Sequence, residues 1–261
     1  MMKQLKHLLI EGAYNIRDLG GIPTIDGRST RWNLLYRSDA LSLLTTDGWQ
    51  KLINYGVRTV IDLRSVQECE YSAIKPLTPI VYYHRSLMKQ VAEMPEMKGL
   101  IQDSKVESTD SMRRIIKSMT VDYATAIRTN IECCVDVLQL IRKGLGRGSV
   151  LFLCSAGKDR TGIIASMILY LCQVAREDIV ADYMVSSTYN QLGINSRMHE
   201  MYESHALNDE QLQLLKEALT SKPEVANQLY DEYVEMKIEC LLDKHGFTKT
   251  NQQELIDLVC E

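Results

Sequence analysis

The sequence predicts an α/β fold in which helices flank a central, mainly parallel β-sheet. Two short segments, VRTVIDL from Val57 to Leu63 and SVLFL from Ser149 to Leu153, are rich in apolar and β-branched residues and show no polar face. This pattern is typical of strands that are buried on both sides in a parallel sheet. Helical patterns precede the first segment and follow the second, and this alternation is characteristic of α/β proteins. We expect residues 1–261 to form a single domain.

The segment before the first strand carries signals for the start and the end of a helix. Thr45 is placed to cap the amino terminus, and Asp47 lies in the positively polarised first turn. Leu44 is spaced to pack against Trp49 across this cap. Gly56 then ends the helix just before the strand.

Residues 88–146 have a different character. Their first half is rich in methionine, lysine and glutamate, and Met94-Pro95 and the polar run from Asp103 to Asp110 indicate loops. The stretch from Met112 to Leu145 has helical periodicity. We therefore expect a helical insertion over one edge of the sheet, in a position to act as a lid.

The second strand leads directly into the loop CSAGKDRTG and then into the apolar helix RTGIIASMILYLC. The chain from Asn208 to Glu261 has the pattern of amphipathic helices, interrupted around Pro223 and Gly246. This order of strand, tight loop and buried helix makes the loop the candidate functional site.

Composition argues against several classes of partner. The formal net charge of -4 predicts no general attraction to nucleic acid or to an anionic membrane. The charge-free apolar stretch from Thr161 to Ala175 is shorter than the roughly 18 residues of a membrane-spanning helix. The amino terminus lacks a secretory pattern, so we expect a cytoplasmic protein. Seven cysteines without paired spacing and five histidines without metal-ligand spacing predict no disulfides, no metal and no cofactor.

The loop after the second strand can bind a phosphate group. The strand delivers Cys154 to the carboxyl end of the sheet, where ligands bind in open α/β proteins. Gly157 lets the loop curl, and the backbone N–H groups and the helix amino terminus then form a nest for an anion. The residues expected around the phosphate are Ser155, Ala156, Gly157, Lys158, Asp159 and Arg160.

These residues also suit nucleophilic chemistry. Helix amino termini and nearby cations favour the thiolate form of a cysteine, so Cys154 is the candidate nucleophile. Arg160 can present two N–H groups to a phosphate, Thr161 can donate to the departing sulfur, and Lys158 is expected to add positive charge at the rim. The predicted chemistry is a double displacement through a cysteinyl-phosphate.

Other interpretations of this loop are a buried structural thiol beside a solvated helix start, and a rhodanese-like sulfurtransferase. A Walker nucleotide loop is excluded, because Phe152 and Asp159 stand where that motif requires glycine and serine or threonine.

The segment LCSAGKDRTG, Leu153 to Gly162, resembles the HCxxGKDRTG loop of the bacterial and fungal tyrosine-phosphatase family, within the protein-tyrosine-phosphatase superfamily. NIRDLGG, residues 15–21, is similar to the family's NFRDLGG-like motif. Residues 36–38 and 56–64 match two further segments in the same order.

The resemblance implies Cys154 as nucleophile, Arg160 as phosphate clamp and Asp159 as general acid. It also implies phosphotyrosine proteins as substrates, with phosphoserine, phosphothreonine or phosphoinositides in some members, and Lys158 suits highly charged lipid headgroups. Leu153 replaces the histidine that usually precedes the cysteine. The alternative function is therefore a weak or inactive pseudophosphatase that binds phosphate esters without cleaving them.

Several further residues are candidates for supporting roles. Asp62 and Asp182 are alternatives to Asp159 as the acid, although a structural carboxylate is the simpler interpretation of both. Arg17, Arg37 and Arg64 either line the approach to the phosphate or form ion pairs, with Asp18 as the expected partner of Arg17. Core packing is the simplest role for four others: Tyr14, Tyr36, Cys133 and Cys134.

Overall fold

The computed structural model describes residues 4, 6–87, 108–119, 123–203 and 206–261. Within these residues the strands form one sheet in the order β1-β2-β5-β3-β4. All neighbouring strands are parallel except β1 and β2. The strands are β1 (Arg17–Asp18), β2 (Leu35–Ser38), β3 (Val57–Asp62), β4 (Val81–His84) and β5 (Ser149–Leu153).

The helices of the described residues follow and connect these strands. They are α1 (Thr46–Asn54), α2 (Val66–Tyr71), α3 (Thr109–Met119), α4 (Tyr123–Thr129), α5 (Ile131–Leu145), α6 (Asp159–Leu171), α7 (Arg176–Glu203), α8 (Asp209–Leu219), α9 (Pro223–Met236), α10 (Ile238–Lys244) and α11 (Lys249–Val259). No helix within this part of the chain combines the length and the apolar character that crossing a membrane requires.

The two predicted central strands lie side by side. β3 and β5 pair in parallel with Asp62 opposite Leu153, so both strands end at the same edge of the sheet. Every residue of β5 is buried. Val150 and Phe152 belong to one apolar cluster and Leu151 to the other, because successive side chains of a strand point to opposite faces. The predicted α/β sheet, buried on both sides, is therefore present.

The predicted start of α1 is confirmed. The Thr45 side chain accepts a hydrogen bond from the Gly48 N–H and so caps the helix. Leu44 packs against the apolar cluster that contains Trp49. Gly56 follows the helix with a φ of 85°. This conformation strains residues that carry a Cβ atom, which explains a glycine between helix and strand.

The helical stretch predicted from Met112 to Leu145 consists of α3, α4 and α5. α5 packs against β3 and β5, whereas α3 packs against α8. α5 therefore belongs to the layer that covers the sheet, because its buried face contributes residues such as Val137, Leu138 and Ile141 to the core. The carboxyl-terminal part of the predicted 88–146 insertion is thus part of the main fold. Residues 88–107 lie outside the described residues, and the lid stays a prediction.

The boundaries between the carboxyl-terminal helices lie at the predicted positions, Pro223 and Gly246. Pro223 is the first residue of α9, a position that needs no backbone N–H donor. Gly246 lies between α10 and α11 with a φ of 95°. Helices α9, α10 and α11 contribute to the same apolar cluster as α5 and α6, so they form the outer wall of the helical layer on that face.

Candidate active site

The loop from Cys154 to Lys158 connects β5 to α6 at the carboxyl edge of the sheet. Cys154 is 3% exposed, and α6 begins at Asp159. Gly157 adopts a φ of 64°, and a Cβ atom there would lie 2.5 Å from the carbonyl group of Ser38. Both the backbone conformation and this close approach require glycine, so the predicted role of Gly157 in curling the loop has a physical basis.

The Arg160 guanidinium is held by a carboxylate that the sequence analysis did not select. Nη1 and Nη2 of Arg160 donate to the two carboxylate oxygens of Glu68 at 2.6 and 2.8 Å. The Ser155 hydroxyl also donates to Glu68, and Nη2 of Arg160 lies 3.2 Å from this hydroxyl oxygen. Within the described residues, Nε of Arg160 makes no hydrogen bond. The edge of the guanidinium that carries Nη1 and Nη2 is thereby fixed by Glu68.

Glu68 is placed by the first turn of α2. Its carboxylate accepts the Ser65 N–H at 2.8 Å while the Ser65 side chain accepts the Glu68 N–H, which completes a capping box. Burial alone would raise the pKa of Glu68, but the hydrogen bonds and charge of Arg160 outweigh it and lower the pKa to about 2. The Ser-x-x-Glu spacing directly after a buried strand was the available sequence signal.

Two tyrosine hydroxyls converge on Asp159, the predicted general acid. Tyr123 of α4 and Tyr183 of α7 donate to the same oxygen, Oδ1, at 2.8 and 2.9 Å. The two hydroxyls lie 3.2 Å apart. Burial, followed by the nearby Asp159 charge, raises the pKa of both tyrosines, so they remain neutral donors. This pair was not anticipated, because it joins segments far apart in the chain.

The ammonium group of Lys158 is held at the carboxyl end of α8. Nζ donates to the carbonyl oxygens of Ala218 and Leu219 at 3.0 and 3.3 Å, and it lies 3.7 Å from a carboxylate oxygen of Asp159. The partial negative charge of a helix end attracts such a cation, and the expected contribution of Lys158 to phosphate binding stays a prediction. Thr161, in contrast, has a fully buried hydroxyl without a hydrogen-bond partner in the described part of the chain. Its predicted donation to sulfur stays a prediction.

Asp62 is a structural carboxylate in this arrangement. Its oxygens accept hydrogen bonds from Nε and Nη2 of Arg64 at 2.7 to 3.0 Å and from the Tyr82 hydroxyl at 2.9 Å. Arg64 also donates to the Ser72 carbonyl. The ion-pair alternative considered for Arg64 is the one observed. These contacts support the structural interpretation of Asp62.

Arg17 pairs with Asp182 and not with Asp18. Asp182 accepts from Nε of Arg17 at 2.9 Å and from Nη1 of Arg37, and all three side chains are buried. Asp18 instead accepts backbone N–H groups of Gly20 and Asn33. The expected Arg17–Asp18 pair is wrong because neighbouring residues of a strand point to opposite faces.

Asp182 is held in its ionised form. Burial would raise its pKa, but the charges of Arg17 and Arg37 hold the pKa far below the ordinary value. A carboxylate that stays ionised cannot donate a proton near neutral pH, so the alternative role of Asp182 as general acid is disfavoured.

The remaining candidates lie in the core or at its edge. Tyr36 is fully buried, and its hydroxyl donates to the Asn33 side chain. Cys134 is buried in α5, as expected for a core residue. Tyr14 is 39% exposed and packs beside Gly193, so the expectation that it lies in the core is wrong. Leu153 belongs to the apolar cluster that contains Trp49, so its side chain packs in the core.

A cysteine directly after a buried strand and an arginine in the first turn of the next helix are the arrangement expected of a protein of the tyrosine-phosphatase kind. A sequence model of the tyrosine phosphatase family matches residues 8–260. The chain therefore belongs to the tyrosine phosphatase family. The predicted family and fold class are confirmed.

Individual proteins match this chain over part of its length. A protein of Cupriavidus necator named as a tyrosine-protein phosphatase is 28% identical over 177 residues, which are 67% of this chain and 61% of that protein. The match thus spans less than two thirds of that relative. Triple specificity protein phosphatase PtpB of Mycobacterium tuberculosis is 29% identical over 195 residues, 68% of each chain. The match to the crystal structure of P. aeruginosa TpbA covers 77% of this chain and 88% of that chain at 12% identity, with a TM-score of 0.33.

Proposed function

We propose that the protein hydrolyses phosphate monoesters, with phosphotyrosine proteins as the first substrate class, through a cysteinyl-phosphate intermediate. The observation that carries the proposal is the loop itself. Cys154 directly follows β5, Arg160 lies in the first turn of α6, and Glu68 fixes the guanidinium through Nη1 and Nη2. This arrangement suits a planar clamp on a phosphoryl group.

The reaction proceeds in two displacements. The Cys154 thiolate attacks phosphorus, the bond from phosphorus to the ester oxygen breaks, and Asp159 gives its proton to the departing oxygen. Water then attacks the phosphocysteine and gives a proton to Asp159. Inorganic phosphate leaves and the thiolate is restored, with the Thr161 hydroxyl donating to the sulfur.

We extend this proposal to further classes of substrate. The relative from Mycobacterium tuberculosis is named for triple specificity. This supports testing phosphoserine and phosphothreonine proteins and phosphoinositides beside phosphotyrosine. Expulsion of an alkoxide depends more strongly on a proton donor than expulsion of a phenolate. We therefore expect hydrolysis of phosphoserine and phosphothreonine to depend more strongly on Asp159 than hydrolysis of phosphotyrosine.

The test is hydrolysis of para-nitrophenyl phosphate between pH 5 and 7 in EDTA, with Cys154→Ser compared with the natural protein. We expect turnover in the natural protein and none in the variant. Cys240→Ser is a matched control, because Cys240 is exposed and far along the chain in α10. A folded natural protein without turnover would favour the pseudophosphatase, and sulfur transfer from thiosulfate would favour the sulfurtransferase.

Specificity is then read by phosphate release from peptides that carry phosphotyrosine or phosphoserine, and from vesicles that contain a phosphatidylinositol monophosphate. Release from the tyrosine peptide alone would restrict the proposal to its first substrate class. Release from the vesicles would extend it to lipid headgroups.

A further inference from the structure

The carbonyl oxygens of the active-site loop are held by groups outside the loop. The Ser155 carbonyl accepts the Ala40 N–H at 3.1 Å. The Ala156 carbonyl accepts two side-chain amides, from Asn15 at 2.9 Å and from Asn190 at 2.7 Å. The donors come from segments on both sides of the loop in sequence, and α7 supplies Asn190.

The next two carbonyl groups are held in the same way. Nη2 of Arg37 donates to the Gly157 carbonyl at 2.8 Å and to the Lys158 carbonyl at 3.2 Å. The Asn15 amide also reaches the Gly157 carbonyl at 3.3 Å. Four consecutive carbonyl groups, those of residues 155–158, thus have donors outside the loop.

These bonds determine where the loop N–H groups point. In a trans peptide the C=O and N–H bonds point in opposite directions. A carbonyl that is held outward therefore turns the N–H of the following residue toward the inside of the loop. An anion nest depends on several N–H groups that converge in this way.

We propose that Asn15, Arg37 and Asn190 form a carbonyl clamp, a set of positioning residues that keeps the N–H groups of residues 157–159 directed at the bound phosphate. The clamp rests on the proposed function insofar as the loop must bind phosphate. It requires no turnover. None of these three side chains needs to touch the phosphate, because they act through the loop backbone.

The clamp residues are themselves held in place. Nη1 of Arg17 donates to the Asn15 side-chain oxygen, and Arg17 also donates to the Ser186 hydroxyl at 2.9 Å. Asp182, Ser186 and Asn190 follow one another at four-residue spacing and share one face of α7. One stripe of this helix therefore anchors the arginines and reaches the loop.

The experiment uses Asn190→Leu, which keeps the approximate size of the side chain and removes the donor without adding charge. The probe is inorganic phosphate. Its affinity is read from protection of Cys154 against iodoacetamide, with the Cys154 peptide quantified by mass spectrometry. The loss of one buried hydrogen bond should weaken phosphate binding by about tenfold. The midpoint pH of Cys154 alkylation should rise, because fewer N–H groups face the thiolate.

Controls separate positioning from a general loss of stability. Gln191→Leu changes the adjacent, exposed residue of α7 and should leave both measurements unchanged. Asn190→Gln keeps an amide donor and should bind phosphate better than Asn190→Leu. If Asn190→Leu does not fold, Asn190→Ala removes the same bond with less demand on packing.

A lower melting temperature with unchanged phosphate affinity and unchanged alkylation midpoint would overturn the clamp and leave Asn190 a structural residue. If phosphate does not protect Cys154 in the natural protein, the clamp and the phosphate site are both wrong. If phosphate protects Cys154 but no ester is hydrolysed, only the proposed function is wrong, and the clamp is decided by Asn190→Leu.

Discussion

Replacement of Glu68 by glutamine tests whether this carboxylate positions Arg160. In the structure Glu68 receives both Nη groups of Arg160, and the two side chains are only 15% and 18% exposed. Glutamine keeps one oxygen acceptor but presents an NH₂ group where the second oxygen stood. One charge-assisted hydrogen bond is lost, and the guanidinium loses its fixed orientation.

The size of the effect follows from that bond. A hydrogen bond to a charged group contributes about 2 kcal/mol. Every 1.36 kcal/mol of transition-state stabilisation changes the rate about tenfold. We therefore expect kcat/KM for para-nitrophenyl phosphate to fall about 30-fold in Glu68→Gln. Inhibition by inorganic phosphate should weaken, because Arg160 is less well placed for either ligand.

The fall in kcat/KM caused by Glu68→Gln should be the same at every pH between 5 and 7. The pKa of Glu68 is lowered to about 2 from its ordinary value of 4.5, so the carboxylate is ionised at every pH from 5 to 7. Its stabilisation of the fold, about 3 kcal/mol, is fully present above pH 4.5 and is lost as the pH falls toward 2. Urea denaturation at pH 7 and at pH 3 should show this loss in the natural protein and a smaller one in the variant.

Glu70→Gln is the matched control for Glu68→Gln. Glu70 lies in the same helix and is exposed, so this variant makes the same change in net charge without touching Arg160. Its kcat/KM should equal that of the natural protein. If Glu68→Gln has an equal or higher kcat/KM, with tighter phosphate binding, Glu68 competes with the phosphate for Arg160 and the positioning argument is refuted.

Two further predictions concern the tyrosine contacts of Asp159 and the ion pairs of Asp182. Tyr183→Phe and Tyr123→Phe each remove a hydrogen bond that orients the Asp159 carboxyl group. Each variant should lower kcat for para-nitrophenyl phosphate about fivefold, because one neutral hydrogen bond contributes about 1 kcal/mol. Asp182→Asn leaves two buried arginines without their shared carboxylate, and should lower the free energy of unfolding by about 3 to 5 kcal/mol in urea denaturation.

These predictions have simple controls. Tyr202→Phe removes the hydroxyl of an exposed tyrosine and should leave kcat unchanged. Glu200→Gln changes the charge of α7 at an exposed position and should leave stability nearly unchanged. A tyrosine variant with the natural kcat would show that the contacts to Asp159 do not affect proton transfer. An Asp182→Asn protein of natural stability would contradict the role of its ion pairs.

Local features of this protein were predictable from the sequence because neighbouring residues determine them. β5 is recognisable by its apolar run, and the cap of α1 by Thr45 and the turn that follows it. The curled loop between β5 and α6 follows from the order of strand, glycine and helix. Only five residues separate Cys154 at the start of this loop from Arg160 in the first turn of α6, so their proximity required no tertiary information.

The tertiary structure decided which side chains serve this loop. Arg160 meets Glu68 across 92 residues of sequence, and Arg17 meets Asp182 across 165. The three residues of the carbonyl clamp come from separate segments of the chain. Composition and periodicity carry no information on such pairings, because a long polar side chain can reach several partners. The packing of β2, α2 and α7 around the end of β5 determines which of those partners lies within hydrogen-bond distance.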